Sequence, residues 1–226
     1  MKLSFAPLTV VTTLLLVGIA PGQEPVSFPA QDGGVVHADV YGQGVHGVVL
    51  AHGGRFTKES WRDQAPVLAD QGFRVVAIDF RGRGHSRGPE STTSDEGFEF
   101  DVLAAVRYLR EHGATTVSVV GGSFGGWAAA LASVEAPGEI DRLVLLAHSP
   151  IDAPEQLSGR KLFILARGDT TARGTPRLVA IREQYRRAPE PKELMILDGS
   201  AHAQFIFQTD QGERLLTEII RFLSKP

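Results

Sequence analysis

Along the chain, short apolar runs alternate with stretches whose apolar residues recur at helical spacing. Runs of strand length fall at residues 26–28, 35–41, 47–51, 74–78, 116–120, 142–147, 162–166 and 193–197. The first two are separated by Gln31-Asp32-Gly33-Gly34, a turn sequence that predicts an antiparallel hairpin at a sheet edge. Several later runs are near-continuous Val, Ile and Leu, as a parallel strand covered on both faces requires. Helical patterns occupy 60–70, 96–111, 125–134, 176–187 and 211–223, the last presenting Leu215, Leu216, Ile219, Ile220 and Leu223 as one stripe. This order predicts an α/β fold: a mostly parallel, doubly wound sheet of about eight strands with helices on both faces. Sheets of this kind bind ligands beyond the carboxyl ends of their strands, so chemistry is expected in the loops that follow them.

Residues 1–22 stand apart from this alternation. Lys2 precedes an apolar stretch over about 8–20 that ends in small residues and Pro21-Gly22, the layout of a cleaved secretory signal peptide. Pro7, Thr9, Thr12 and Thr13 leave it short of the roughly 18 to 20 clean apolar residues a spanning helix needs. The expectation is an exported protein, periplasmic or secreted, with no stable membrane span after cleavage and a single domain over 23–226. A chain of 226 residues with 42% hydrophobic content can bury a sizeable core. Its formal charge of -3, scattered singly, offers no basic footprint for nucleic acid. The absence of cysteine excludes disulfides, thiolate metal sites and a cysteine nucleophile.

The strongest chemical signal is Gly121-Gly122-Ser123-Phe124-Gly125, in which a strand runs through G-x-S-x-G into a small-residue helix. So tight a strand-to-helix turn tolerates no bulk at its flanks, and it lifts the serine clear of the sheet. A plain glycine turn binding an anion at the helix start is the competing reading. A serine hydroxyl is a weak nucleophile without a base. Among seven histidines, His202 lies in the loop after the last strand, just ahead of the final helix. His37, His46, His85 and His112 fall in edge strands, a turn or a helix end, and His148 ends a strand as a packed loop residue.

The imidazole needs an acceptor that fixes its tautomer. Asp169, in the loop after the penultimate strand, completes the order Ser, Asp, His on three separate loops, with Asp152 as runner-up and Asp198 too close in sequence to face the ring. Backbone N–H groups for an oxyanion are expected at Phe124, next to the nucleophile, and at Gly54 in the loop His52-Gly53-Gly54-Arg55, where His52 takes a structural role. No H-E-x-x-H or similar spacing occurs, so neither metal nor cofactor is implied.

With these residues in hand, the chain from about Val35 onward resembles the α/β-hydrolase superfamily. Asp79-Phe80-Arg81-Gly82-Arg83-Gly84-His85-Ser86 is similar to that family's D-x-R-G-x-G-x-S turn, in which Asp79 and Arg81 brace loops. The resemblance extends to compact esterase-like and dienelactone-hydrolase-like members, although their thiol nucleophile is impossible here. Many relatives insert a helical cap after the sixth strand, whereas only residues 151–160 are available for one, which implies an open, capless site. The resemblance implies acyl transfer: Ser123, Asp169 and His202 acting on a small-molecule or polymeric carboxylic ester. Peptidase, thioesterase or lactonase chemistry would use the same residues, and a non-catalytic binding protein on the same fold is the alternative class. Acyl-chain preference and oligomeric state are not legible at this level, and although Phe56, Phe124 and Trp127 suggest an apolar lining, aromatic residues near a helix start belong more often to the core than to a pocket, an ambiguity that Phe205 and Phe207 share.

Overall fold

The computed structural model describes residues 22–90 and 96–225, so the leader assigned to residues 1–22 lies, but for Gly22, outside the described residues. An eight-stranded sheet runs in the order β1-β2-β4-β3-β5-β6-β7-β8. Its strands are β1 (Gln23–Pro29), β2 (Val35–Tyr41), β3 (His46–Ala51), β4 (Phe73–Ile78), β5 (Thr116–Gly122), β6 (Arg142–Leu146), β7 (Arg160–Ala166) and β8 (Lys192–Leu197). From β4 to β8 every neighbouring pair is parallel, while β1 and β2 form the antiparallel edge hairpin. The helices are α1 (Gln64–Asp70), α2 (Phe98–Glu111), α3 (Phe124–Glu135), α4 (Arg177–Arg187) and α5 (Gly212–Ser224).

The central strands are apolar on both faces because both faces are covered: Val48, Val49, Leu50 and Ala51, like Leu143 to Leu146, have no exposed surface. Strand lengths depart from the hydrophobic pattern where polar residues extend a ladder. β1 starts at Gln23, not Val26, because its full length pairs with β2 from Gln23↔Tyr41 to Pro29↔Val35. The helix expected over 60–70 divides into a 3-10 turn, Lys58–Trp61, and α1, which carries Pro66 in its first turn. Among the described residues no helix is long and apolar enough to cross a membrane, and no cap is inserted after β6, where only a 3-10 turn, Pro154–Gln156, intervenes before β7.

Chain order also decides where a site can form. From β3 the chain crosses to β4 on one side and then to β5 on the other, so the sheet switches direction between the carboxyl ends of β3 and β5. Ala51 of β3 pairs with Gly121 of β5 at that point, which brings the loop after His52 beside the turn that holds Ser123.

Candidate active site

The turn after β5 is held by sterics at each of its glycines. A Cβ on Gly121 would stand 2.5 Å from Gly125 O, and one on Gly125 would stand 2.3 Å from Ala51 O and 2.6 Å from His52 O. Neither position can hold a side chain, because the start of α3 is pressed against both β3 and the end of β5. Ser123 itself has φ 52° and ψ −113°, a conformation a non-glycine residue adopts only when its surroundings impose it. Its N–H donates to Leu146 O at 2.8 Å, which ties the turn to β6.

Three loops converge at this end of the sheet. His202 Nε2 lies 2.7 Å from Ser123 Oγ, and His202 Nδ1 lies 2.7 Å from Asp169 Oδ2. The hydrogen-bonded chain assigns the tautomer: Nδ1–H donates to the carboxylate and Nε2 faces the hydroxyl. Asp169 is 1% exposed, whereas the His202 side chain keeps 29% of its surface, so the acid end is sealed and the serine end faces solvent. The loops of Asp169 and His202 are joined by backbone: Arg167 N donates to Leu197 O and Gly168 N to Gly199 O, each at 2.8 Å. Asp152 and Asp198 are both exposed and neither meets His202, so the structure brings together Ser123, Asp169 and His202 and leaves the runner-up acids aside.

The expected oxyanion positions border the same space. Gly54 and Phe124 line, with Ser123, His202, Phe56, Ala203 and Phe205, an open cleft of about 230 Å³. A Cβ added to Gly54 would sit 3.6 Å from Phe124 Cβ, which measures how closely the two segments approach. Gly53 N–H is already committed to Gln204 Oε1 at 2.7 Å, and Gln204 Nε2 donates onward to Ser60 Oγ at 2.6 Å. Sequence reasoning missed Gln204. It sits in the 3-10 turn Ala203–Gln208 directly after His202, and it straps the histidine loop to the loop after β3. A lone glutamine 151 positions from its partner leaves no trace in a hydrophobic pattern.

His52 has the structural role expected of it. Its ring receives Phe80 N–H on Nε2 at 3.2 Å and bonds Gly53 O through Nδ1 at 2.8 Å, and burial pushes its pKa down to about 4. Arg81 braces its turn through Asp101 at 2.8 Å and Asp32 at 2.6 Å, and Asp79 accepts Lys58 N–H at 2.8 Å. His148 is fully buried and lies under the start of α3, where its Cβ would be 2.7 Å from a Cβ on Gly126. Of the ambiguous aromatics, Phe56, Phe124 and Phe205 line the cleft, while Trp127 packs against Phe98 and Phe124, and Phe207 packs against Trp61.

A model of the alpha/beta hydrolase fold matches residues 48–183, which is more than half of the chain. The chain belongs to the α/β-hydrolase fold family. A human serine hydrolase, BPHL, is 34% identical over 117 residues, covering 51% of this chain and 40% of that protein. Epoxide hydrolase A of Mycobacterium tuberculosis is 41% identical over 80 residues, covering 34% of this chain and 24% of that protein. These matches span less than half the length of the curated relatives. Among solved structures, an esterase of Pyrococcus furiosus superposes with a TM-score of 0.74 at 18% identity, over 89% of this chain and 90% of that one. A dienelactone hydrolase of Anabaena variabilis gives 0.70 at 19% identity, over 88% and 95%. At such identities the structural likeness speaks for the fold.

Proposed function

We propose that the protein is a serine hydrolase that cleaves carboxylic esters through an acyl-enzyme on Ser123. The observation that carries this reading is the unbroken chain from Ser123 Oγ to His202 to Asp169, both links 2.7 Å. Ser123 Oγ bonds to the carbonyl carbon as its proton passes to His202 Nε2. Phe124 and Gly54 N–H groups face the oxygen that gains charge, and buried Asp169 stabilises the imidazolium. The ester C–O bond then breaks, His202 returns the proton to the leaving alkoxide, and water repeats the sequence to release the acid. No step requires a metal or cofactor. The esterase names among the similar proteins favour an ester over a peptide.

A fluorophosphonate probe tests the reading directly. The wild type is expected to label and Ser123→Ala is not; equal labelling of the two would sink it and favour a non-catalytic binding protein. A panel of p-nitrophenyl esters run beside peptide anilides separates esterase from peptidase. The reading extends to export through residues 1–22, and N-terminal sequencing of protein recovered from cells is expected to find a start near Gln23; an intact Met1 on cytoplasmic protein overturns that part alone.

A further inference from the structure

Two clefts meet at Gly54 and Phe124, and each is edged by an arginine outside any ion pair among the described residues, Arg55 in one and Arg83 in the other. The first, of about 230 Å³, holds Ser123 and His202 and is walled by Phe56 and Phe205. The second, of about 430 Å³, shares Gly54 and Phe124 with it and is floored by Phe80 and Phe98. His202 must hand its proton to the leaving oxygen, so the alcohol arm of a bound ester lies in the cleft that His202 lines. The acyl arm is left to the second cleft. Phe80, Phe98 and Phe124 meet there edge to face, with ring centroids 4.7 to 5.9 Å apart, a wall suited to an alkyl chain or an aryl ring.

The polar groups of that second cleft are not equivalent. His52 is buried and neutral near pH 7, and Arg81 is consumed by Asp101 and Asp32. Arg83 is different. It has no carboxylate partner among the described residues, and no Asp or Glu lines the cleft. One guanidinium nitrogen, Nη2, donates to Gly54 O at 2.7 Å, which tethers the cation beside the oxyanion loop and leaves its remaining donors for a ligand. A planar guanidinium held at the rim of an aromatic slot is matched to a carboxylate.

We propose that the preferred substrates are esters whose acyl arm ends in a carboxylate, half-esters of dicarboxylic acids, with Arg83 as the residue that selects them. This rests on the serine-hydrolase reading above. The test compares kcat/KM for mono-p-nitrophenyl adipate, p-nitrophenyl hexanoate and p-nitrophenyl 6-aminohexanoate, which share a six-carbon acyl arm and the leaving group and end in a carboxylate, a methyl and an ammonium. The shared leaving group keeps Arg55, at the alcohol cleft, out of the comparison. The adipate is expected to exceed the hexanoate by roughly fivefold, the upper end for a solvent-exposed charge pair, and the ammonium ester to be the poorest. That preference is expected to shrink with added salt, vanish in Arg83→Gln and persist in Arg83→Lys. Equal rates on adipate and hexanoate in the wild type overturn the proposal while leaving the esterase reading intact. So does an Arg83→Gln enzyme that loses both activities in proportion, since Arg83 would then only brace Gly54. If no ester is cleaved, or Ser123→Ala cleaves them as fast, the underlying reading fails and the proposal with it.

Discussion

Arg177 Nε stands 3.6 Å from Oδ1 of Asp169, the carboxylate oxygen that His202 does not take. Both atoms are buried and neither has a nearer partner. The loop between them is closed by Arg177 N–H donating to Asp169 O at 3.0 Å, so backbone and side chain both return to the same residue. Arg177 is thereby placed to hold the carboxylate toward the imidazole, a positioning role under the proposed mechanism. Arg177→Gln is expected to lower kcat by about tenfold, a loss of about 1.4 kcal/mol, with KM little changed. Arg177→Lys should recover much of it. An equal change in KM, or no rescue by lysine, would show that the arginine only stabilises the loop.

Replacing the acid separates the two candidates of the sequence. Asp169→Asn is expected to reduce kcat on the order of 10⁴-fold while thermal melting stays cooperative, because the neutral amide no longer fixes the tautomer. Asp152, exposed and with no hydrogen bond to His202, should tolerate the same change with activity roughly intact. Reversal of those two results would reassign the acid.

A second serine–histidine contact provides an internal control. His46 Nε2 lies 2.8 Å from Ser118 Oγ, but at the opposite end of β3 and β5, and Ser118 is fully buried. Ser118→Ala is expected to cost about 1 kcal/mol of stability and to leave fluorophosphonate labelling unchanged. Lost labelling in that variant would mean that the wrong serine has been assigned.

The glycines of the site should respond unequally. Gly125→Ala drives a methyl into Ala51 O and His52 O, and overpacking against backbone costs about 1–3 kcal/mol or more, roughly 2–12 °C in Tm for a chain of this size. Gly54→Ala meets nothing nearer than 3.6 Å and should melt within a degree or so of the wild type. Calorimetry on the two variants checks the pair.

Buried histidines set an acid limit on stability. Burial lowers the pKa of His46, His52 and His148 from 6.5 to about 4. Between those values the unfolded chain takes up protons that the folded one refuses, so stability is full above pH 6.5, falls as pH drops toward 4, and levels off below it. His148, wholly enclosed, is the simplest to test. His148→Leu should flatten the fall of Tm between pH 6.5 and 4, and an unchanged slope would exclude it as a contributor.

What could be read from sequence tracks how local the physics is. The serine turn was legible because its constraint lies within five positions, Gly121 to Gly125, and the later strands because coverage on both faces leaves near-continuous apolar runs. Strand ends shifted by one to three residues where Gln23, Glu24, His46 or Lys161 joined a ladder, since pairing there depends on a neighbour and not on hydrophobicity. His202 and Asp169 were legible by loop order. Gln204 and Arg177 were not, because each is defined by a partner that only the folded chain brings near. Pro176 and Arg177 read simply as the start of a helix.

The link between β6 and β7 holds no member of the Ser123, His202 and Asp169 chain, and its ends are clamped independently of them. Gln184 bonds both Ile151 N–H and C=O, at 3.0 and 2.9 Å, and Arg160 N–H donates to Asp141 O at 2.9 Å. Extra chain inserted between those clamps would leave Ser123, His202 and Asp169 where they are. The molecule thus offers a graft point: a helical roof built there could restrict entry to the cleft, so that selectivity can be redesigned apart from reactivity.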